Sequence, residues 1–130
     1  MPLIKFDLIK GRSDEQLKAL LDTVHQAMVE AFDVPQSDRY QCVTQHSKEE
    51  LVLEDTGLGY PRSSDVVLLT VFSRQRAKEK KVEFYRLLAE RLQANCGLSP
   101  DDLIVSLFEN SDADWSFGRG RAQFLTGELR

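Results

Sequence analysis

The strongest constraint on the fold of this chain is an internal repeat with an offset of 64 residues. The offset aligns the two halves without a gap over most of the repeated unit. The paired residues are Arg12 with Arg76, Val24 with Leu88, Met28 with Leu92, Val34 with Leu98 and Asp38 with Asp102. A repeat of this length predicts two copies of one supersecondary unit, at about residues 2–46 and 65–108.

The first copy predicts a strand, a helix and a second strand. Residues 3–9 (LIKFDLI) are rich in residues that favour strands. Ser13 begins a capping box with Gln16, so a helix is expected to follow it. The apolar residues of that helix recur at helical spacing and are Leu17, Leu20, Leu21, Val24, Met28 and Ala31. A turn over residues 33–38 then leads into a strand over 40–44.

The second copy predicts the same order of elements. Residues 65–72 (DVVLLTVF) are rich in valine and leucine, which predicts a strand buried on both faces. A helix is expected over 78–95 and a last strand over 103–108. The apolar stripe of that helix is predicted to be Val82, Tyr85, Leu88 and Leu92. The glycine- and proline-containing segment 51–64 predicts a turn-rich crossing, in which a short hairpin strand over 51–53 is one reading.

Two β-α-β units in succession, each with a right-handed crossover, predict an α/β (α+β) fold. We expect a four-stranded sheet with two helices on one face, formed by a single domain over residues 1–130. Helices on one side leave the other face of the sheet uncovered. The open face therefore predicts that the chain assembles into an oligomer.

Composition excludes several classes of function. Charged residues make up 29% of the chain and the net charge is −4, so a nucleic-acid partner is not expected. No apolar run approaches the ~20 residues of a membrane span, and no secretory signal pattern is present. Cys42 and Cys96 lack metal-ligand spacing, and a dinucleotide fingerprint is missing. We therefore expect a cytoplasmic protein without a metal or organic cofactor and without a membrane partner.

Pro2 is the first candidate for chemistry. A proline without an N–H is tolerated at the first residue of a strand, and this ordinary reading is the more common one. If Met1 is removed, however, Pro2 becomes a secondary amine at the chain terminus. Such an amine can act as an acid, a base or a nucleophile.

Arg74 and Arg76 are candidates for binding a carboxylate. Residues two apart on a strand point to the same face, so both guanidinium groups converge if the strand continues through them. Two converging guanidinium groups suit a carboxylate, which accepts paired hydrogen bonds from them. The alternative is that both are surface charges at a helix start. The direction of this strand relative to the first one is left open by the sequence.

Asp38 and the last segment of the chain remain ambiguous when taken alone. Asp38 fits a turn carboxylate paired with Arg39, and His25 and the two cysteines are given no role. The tail, within residues 110–130, places aromatic side chains among glycines, where leaving them in water is costly. It is expected to fold back on the core, to dock on a neighbouring subunit, or to line a small pocket.

Taken together, these features resemble the tautomerase superfamily, and within it the malonate semialdehyde decarboxylase group. The matching stretches are MPLIKFDLIKGR at the start, DRYQ at 38–41, EDTGLG at 54–59, SRQR at 73–76 and DWSFG at 114–118. The resemblance covers nearly the whole chain. It implies a trimer of duplicated β-α-β units with an amino-terminal proline in each active site.

The resemblance also implies roles for individual residues. Pro2 matches the catalytic proline, Asp38 the polarising or water-activating aspartate, and Arg74 with Arg76 the carboxylate-binding arginines. The positions that match a hydrophobic wall of the substrate site are Trp115, Phe117, Phe124 and Leu129. The implied activity is decarboxylation of a small 3-oxo acid such as malonate semialdehyde. The alternatives are tautomerase or hydratase chemistry on 2-oxo acids at the same site, and a binding protein with a vestigial proline.

Overall fold

The computed structural model describes residues 2–130, which form one mixed sheet and two long helices. The main elements are β1 (Leu3–Ile9), α1 (Asp14–Phe32), β2 (Tyr40–His46), β3 (Val67–Arg74), α2 (Lys78–Cys96) and β4 (Leu103–Asn110). A four-residue helix, α3 (Gln123–Thr126), lies near the end of the chain. The predicted order of strands and helices is confirmed.

The sheet has the strand order β2-β1-β3-β4. Each half of the repeat forms a parallel pair, β1 with β2 and β3 with β4. The two halves join where β1 and β3 run antiparallel, with Leu3 opposite Phe72 and Leu8 opposite Val67. The repeat is therefore a pseudo-twofold arrangement in which the end of one central strand lies beside the start of the other.

Local capping features mark the start of α1 and the end of α2. Ser13 caps α1 through the predicted capping box with Gln16, in which each side chain accepts from the other's backbone N–H. Gly97 ends α2 at φ 65°, a left-handed conformation that costs glycine little. The N-cap of α2 is Ala77, which supplies no capping side chain.

The core lies between one face of the sheet and the two helices. Alternate residues of β1 and β3 point into it, and Phe32 of α1 meets Phe84 of α2 with ring centroids 4.8 Å apart. The largest fully buried side chains are Phe6, Phe32, Phe84, Ile4, Leu8, Leu20, Met28, Leu69, Leu88 and Leu92. The expectation of two helices on one face of a four-stranded sheet is confirmed.

Three local predictions were wrong. The strand predicted over 65–72 lies two residues later and alternates between fully buried and half-buried positions, because helices cover only one face. The segment 51–64 contains no strand over 51–53 and is exposed for much of its length. In α2, Leu88 and Leu92 are buried as predicted, but Val82 and Tyr85 are exposed. Phe84 and Leu87 take the other two inward positions.

The uncovered face of the sheet carries a mixture of apolar and polar side chains. Phe72 and Phe108 stack on it at 5.5 Å between ring centroids, and Phe108 is 51% exposed. Across residues 2–130, none of the helices is both long and apolar enough to cross a membrane.

Candidate active site

The antiparallel pairing of β1 with β3 resolves the question that the sequence leaves open. Leu3 lies opposite both Phe72 of β3 and Tyr40 of β2, so the residues just outside these strands share one end of the sheet. The four predicted catalytic residues therefore come together there: Pro2, Asp38, Arg74 and Arg76. Their roles stay predictions, but the structure places them as one group.

Pro2 and Asp38 are both buried at this end of the sheet. Asp38 is 8% exposed and lies in the turn between α1 and β2, where its backbone N–H donates to the carbonyl of Pro35 at 3.0 Å. Within residues 2–130, the carboxylate of Asp38 has no hydrogen-bond or ion-pair partner. The predicted pairing with Arg39 is not formed, because Arg39 contacts Asp22 and Gln41 instead.

His25 supports the turn that carries Asp38. Its ring is 2% exposed, and Nε2 hydrogen-bonds the carbonyl of Gln36 at 2.8 Å. The histidine therefore joins α1 to the turn two residues before Asp38. This is a local structural contact.

Arg76 is held in place by two neighbours. Its Nε donates to Oγ of Ser73 at 3.0 Å, and its backbone N–H donates to Oε2 of Glu109 at 2.9 Å. The guanidinium also lies over the ring of Phe32, 5.2 Å from the centroid. Its Nη2 is buried and has no partner in the described part of the chain. Buried donors of this kind are normally paired, so the Nη2 position favours a bound acceptor.

The charges around Arg76 are close enough to influence one another. Burial, and secondarily the positive charge of Arg74, lowers the pKa of Arg76 from its ordinary value, while Asp38 acts in the opposite direction. An arginine nevertheless stays protonated at physiological pH. At the neighbouring strand, the N–H of Arg76 and the ammonium of Lys81 lower the pKa of Glu109. The anionic carboxylate of Glu109 therefore fixes the backbone of Arg76 through a hydrogen bond.

Arg74 contacts the tail, which in the structure consists of residues 111–130, after the end of β4. Its Nη1 donates to Asp112 at 2.9 Å, and its Nη2 donates to the carbonyl of Arg130 at 2.9 Å. The guanidinium stacks on Phe124 at 3.8 Å from the ring centroid. Two of its nitrogens are therefore already used within the chain, so Arg74 and Arg76 differ in what they can offer a ligand.

The aromatic residues of the tail form a cluster beside the arginines. Trp115 stacks on Phe117 at 5.3 Å, and Phe117 meets Phe124 edge-on at 5.4 Å. Phe117 also contacts Tyr40 at 5.6 Å, which ties the cluster to the start of β2. Leu129 is half-buried and precedes the residue that Arg74 holds. The tail thus folds back on its own chain.

An open groove of about 540 Å³ runs along this end of the sheet. It is lined by Arg74, Gln75, Arg76 and residues 110–113. A cationic groove beside an aromatic cluster suits a small molecule with one carboxylate and an apolar or carbonyl-bearing part. Among residues 2–130, there is no group of three or more His, Cys, Asp or Glu residues that could hold a metal ion.

Sequence reasoning missed Ser73, Glu109 and Asp112. Ser73 was detectable, because it continues the buried alternation of Val67, Leu69 and Val71 as a polar residue that is 0% exposed. A buried serine at that position needs a partner, and Arg76 supplies it. Glu109 of β4 contacts Arg76, and Asp112 of the tail contacts Arg74. Sequence spacing does not reveal either contact, because the partners are more than 30 residues apart.

Comparison with known proteins identifies the class. A family model described as a tautomerase enzyme matches residues 2–69, and a second model with the same description matches residues 38–118. The probable tautomerase YrdN of Bacillus subtilis (strain 168) is 59% identical over 99% of this chain and 100% of its own length. The chain belongs to the tautomerase family.

Solved structures show which tautomerases the chain is similar to in structure. A malonate semialdehyde decarboxylase, solved as wild type, as a proline-to-alanine mutant and in inactivated form, is 67% identical with a TM-score of 0.97, covering 98% of this chain and 99% of its own. FG41 malonate semialdehyde decarboxylase inhibited by 3-bromopropiolate is 42% identical with a TM-score of 0.93, over 98% and 97%. The predicted resemblance to this group is confirmed. The symmetric trimer of fused 4-OT shares the fold at 18% identity, with a TM-score of 0.78 over 96% and 98%.

Replacing Ser73 with alanine tests whether this buried hydroxyl positions Arg76. The change removes the acceptor for Arg76 Nε, so we expect the free energy of unfolding to fall by about 1–3 kcal/mol. We also expect a small carboxylate such as malonate to bind more weakly. Chemical denaturation and calorimetric titration measure the two effects.

The matched control for Ser73→Ala is Thr56→Ala, which removes an exposed hydroxyl in the segment between β2 and β3. That variant is expected to match the wild type in both measurements. Equal stability and equal malonate affinity for the two variants would show that Ser73 has no positioning role.

Proposed function

We propose that the protein is a cofactor-independent decarboxylase of a small 3-oxo acid of the malonate semialdehyde type. The observation that carries the proposal is the convergence of Pro2, Asp38 and Arg76 at one end of the sheet. The likeness to two malonate semialdehyde decarboxylases supports the choice of reaction. The proposal requires that Met1, which lies outside the described residues, is removed. The expected compartment is the cytoplasm.

Carboxylate binding is assigned mainly to Arg76. Each arginine has one buried nitrogen without a partner in residues 2–130, Nη2 in Arg76 and Nε in Arg74. Both terminal nitrogens of Arg74, however, already donate, to Asp112 and to the carbonyl of Arg130. In the proposal Arg76 forms the closer hydrogen bonds to the substrate carboxylate. Arg74 adds positive charge and holds Phe124 of the wall in place.

The proposed bond cleavage depends on orientation. The two arginines turn the carboxylate so that the bond between it and the adjacent carbon is perpendicular to the plane of the carbonyl. When that bond breaks, its electron pair enters the carbonyl system and carbon dioxide leaves. A remaining enol then takes up a proton at carbon to give the aldehyde. A remaining enamine takes up a proton to give an iminium, which water hydrolyses to the aldehyde and free Pro2.

Pro2 would accept the developing charge in one of two ways. As a cation it donates a hydrogen bond to the carbonyl oxygen, which stabilises negative charge formed there. As a nucleophile it condenses with the carbonyl, releasing water, and the resulting iminium accepts the electron pair. Asp38 is close enough to influence the charge of Arg76 and would orient Pro2 or a water molecule.

In the proposal, the aromatic cluster favours conversion of the charged substrate carboxylate into neutral carbon dioxide. A carboxylate is strongly solvated in water, whereas carbon dioxide is neutral, so an apolar wall disfavours the ground state more than the product. The proposed wall residues are Trp115, Phe117, Phe124 and Leu129. Phe117 contacts both Trp115 and Phe124, and the stacking of Arg74 on Phe124 joins the wall to the proposed carboxylate-binding groups.

Tautomerase or hydratase chemistry on small 2-oxo acids is the alternative. It is favoured by the curated relatives, two probable tautomerases of Bacillus subtilis at 59% and 35% identity. The solved relative at 67% identity is described as having both decarboxylase and hydratase activities. The same residues would serve, with Pro2 acting as a neutral base or Asp38 activating water.

We also propose that the chain forms a homotrimer. The uncovered sheet face presents a stacked Phe72 and Phe108, and an exposed apolar face of this kind favours association. The fused 4-OT structure with the same fold is a symmetric trimer. A second copy of the chain is therefore the expected occupant of that face.

Variants at Pro2 and Arg76 test the assigned roles. Pro2→Ala and Arg76→Ala are each expected to lower kcat/KM for malonate semialdehyde by about 100-fold or more, because each removes a group that stabilises the transition state. Arg74→Ala is expected to lose less activity but to loosen the tail. Steady-state kinetics measure these effects after intact-mass analysis has established that Met1 is absent.

The control for charge removal is Arg86→Ala on the outer surface of α2, where Arg86 contacts Glu83 and Glu90. This variant is expected to keep wild-type kinetics. Full activity in either Pro2→Ala or Arg76→Ala would overturn the assignment.

The charge state of Pro2 separates decarboxylation with a cationic Pro2 from the reactions that need a neutral Pro2, which are iminium formation and tautomerase base catalysis. If Pro2 acts as a cation, activity is expected to fall as the pH rises through its pKa, because the proton is lost. If it acts as a neutral base, activity falls as the pH drops through its pKa. The pH–rate profile and the NMR titration of the Pro2 nitrogen measure this, and an apparent pKa below neutrality contradicts the cationic mechanism.

Phe108→Asp tests the trimer, because it places a charge on the uncovered sheet face. Sedimentation velocity is expected to give a trimer of the 14.8 kDa chain for the wild type and smaller species for the variant. The matched control is Val82→Asp on α2, a position that is 59% exposed and outside that face. A wild-type chain that sediments as a monomer at micromolar concentration would contradict the proposal.

A further inference from the structure

We propose that the opposite end of the sheet carries a second site, which binds a small carboxylate without turning it over. The internal offset of 64 residues pairs not only Arg12 with Arg76 but also Lys10 with Arg74. A two-cation pattern, spaced i and i+2, therefore occurs at the end of each central strand. The proposal stands whether or not the first site is a decarboxylase.

The antiparallel centre of the sheet builds the second site in the same way as the first. Leu8 lies opposite Val67, and Val67 lies opposite Leu103, so the end of β1 meets the starts of β3 and β4. At this end, Lys10 and Arg12 are the counterparts of Arg74 and Arg76. Val66 is the counterpart of Pro2, and Asp102 is the counterpart of Asp38.

Arg12, like Arg76, has one buried guanidinium nitrogen without a partner among the described residues. Its Nη2 donates to the carbonyl of Asp65 at 2.7 Å, which holds the guanidinium against the start of β3. Its Nη1 is buried and has no partner within residues 2–130. A buried cationic donor without an acceptor is costly, and a carboxylate oxygen would relieve that cost.

A cavity of about 660 Å³ lies beside Arg12. Its polar lining includes Lys10, Arg12, Ser13 and Ser64, while Glu15 and Asp65 contribute negative charges. The side chain of Lys10 is exposed at the rim. Because the two acidic neighbours offset the two cations, the cavity suits one small carboxylate held by Arg12 better than a polyphosphate.

The second site lacks the groups that would perform chemistry. Val66 stands where the first site has Pro2, and it lies within the chain, so it offers no amine. The carboxylate of Asp102 accepts hydrogen bonds from the backbone N–H and the hydroxyl of Ser63, both at 2.6 Å. Asp38 has no comparable partner among the described residues. The repeat has thus kept the cations and lost the reactive groups, which is why we infer binding alone.

NMR titration of the full-length protein with malonate tests the second site. The backbone amides of Gly11, Ser13 and Ser64 report on it, and those of Ser73 and Gln75 report on the first site. We expect two separate sets of shifts that saturate with different affinities. Shifts confined to the first set would overturn the proposal.

Matched variants assign the second set of shifts. Arg12→Ala is expected to weaken malonate binding at the second site by about tenfold or more, since it removes charged hydrogen bonds. Arg12→Lys keeps the charge and is expected to have a smaller effect, which covers the case that the alanine variant fails to fold. Arg76→Ala is expected to remove the first set and leave the second.

Lys80→Ala is the control for net charge, because Lys80 is exposed on α2 and remote from the cavity. It is expected to leave both sets unchanged. Shifts at Gly11 and Ser13 that persist undiminished in both Arg12 variants, or that decline equally in Lys80→Ala, would show nonspecific ion binding and overturn the site. Arg12→Ala is expected to retain wild-type kcat at the first site, so this test and that of the proposed reaction fail independently.

Discussion

The antiparallel pairing of β1 with β3 is the contact on which the rest of the molecule depends. It joins two parallel β-α-β units into one sheet and sets the register of Leu3 against Phe72. That register decides which loops meet, because antiparallel neighbours place the end of one strand beside the start of the other. Pro2 and Arg74 lie at one end of the sheet for this reason, and Arg12 and Asp102 lie at the other.

The candidate active site is built around a cation that the fold has partly removed from water. Desolvation of a guanidinium is costly unless charges or dipoles compensate for it. Ser73 and the ring of Phe32 contact Arg76 directly, while Asp38 contributes a nearby negative charge. The remaining donor, Nη2 of Arg76, has no partner among the described residues, and in our proposal it binds the substrate carboxylate.

Much of the fold could be predicted because its signals are local. The capping box at Ser13, the glycine that ends α2 and the apolar strands act over a few residues, and all three are found. The direction of β3 was not predictable, since it depends on pairing with a strand more than 60 residues away. Part of the apolar stripe of α2 was misplaced, because Tyr85 fits the apolar pattern but has a polar end that stays at the surface. For the site, residue types were predictable, whereas the capture of Arg74 by Asp112 depends on a contact 38 residues apart.

Through the ion pair between Arg74 and Asp112, the tail also offsets part of the positive charge at the end of β3. Two guanidinium groups on one strand end repel each other, and that repulsion contributes to the lowered pKa of Arg76. With the tail in place, the charge of Arg74 is balanced by Asp112 and its flat face is covered by Phe124. Residues 111–130 therefore set the strength of the positive field at the groove as well as its shape, so sequence changes there would tune anion preference without altering either arginine.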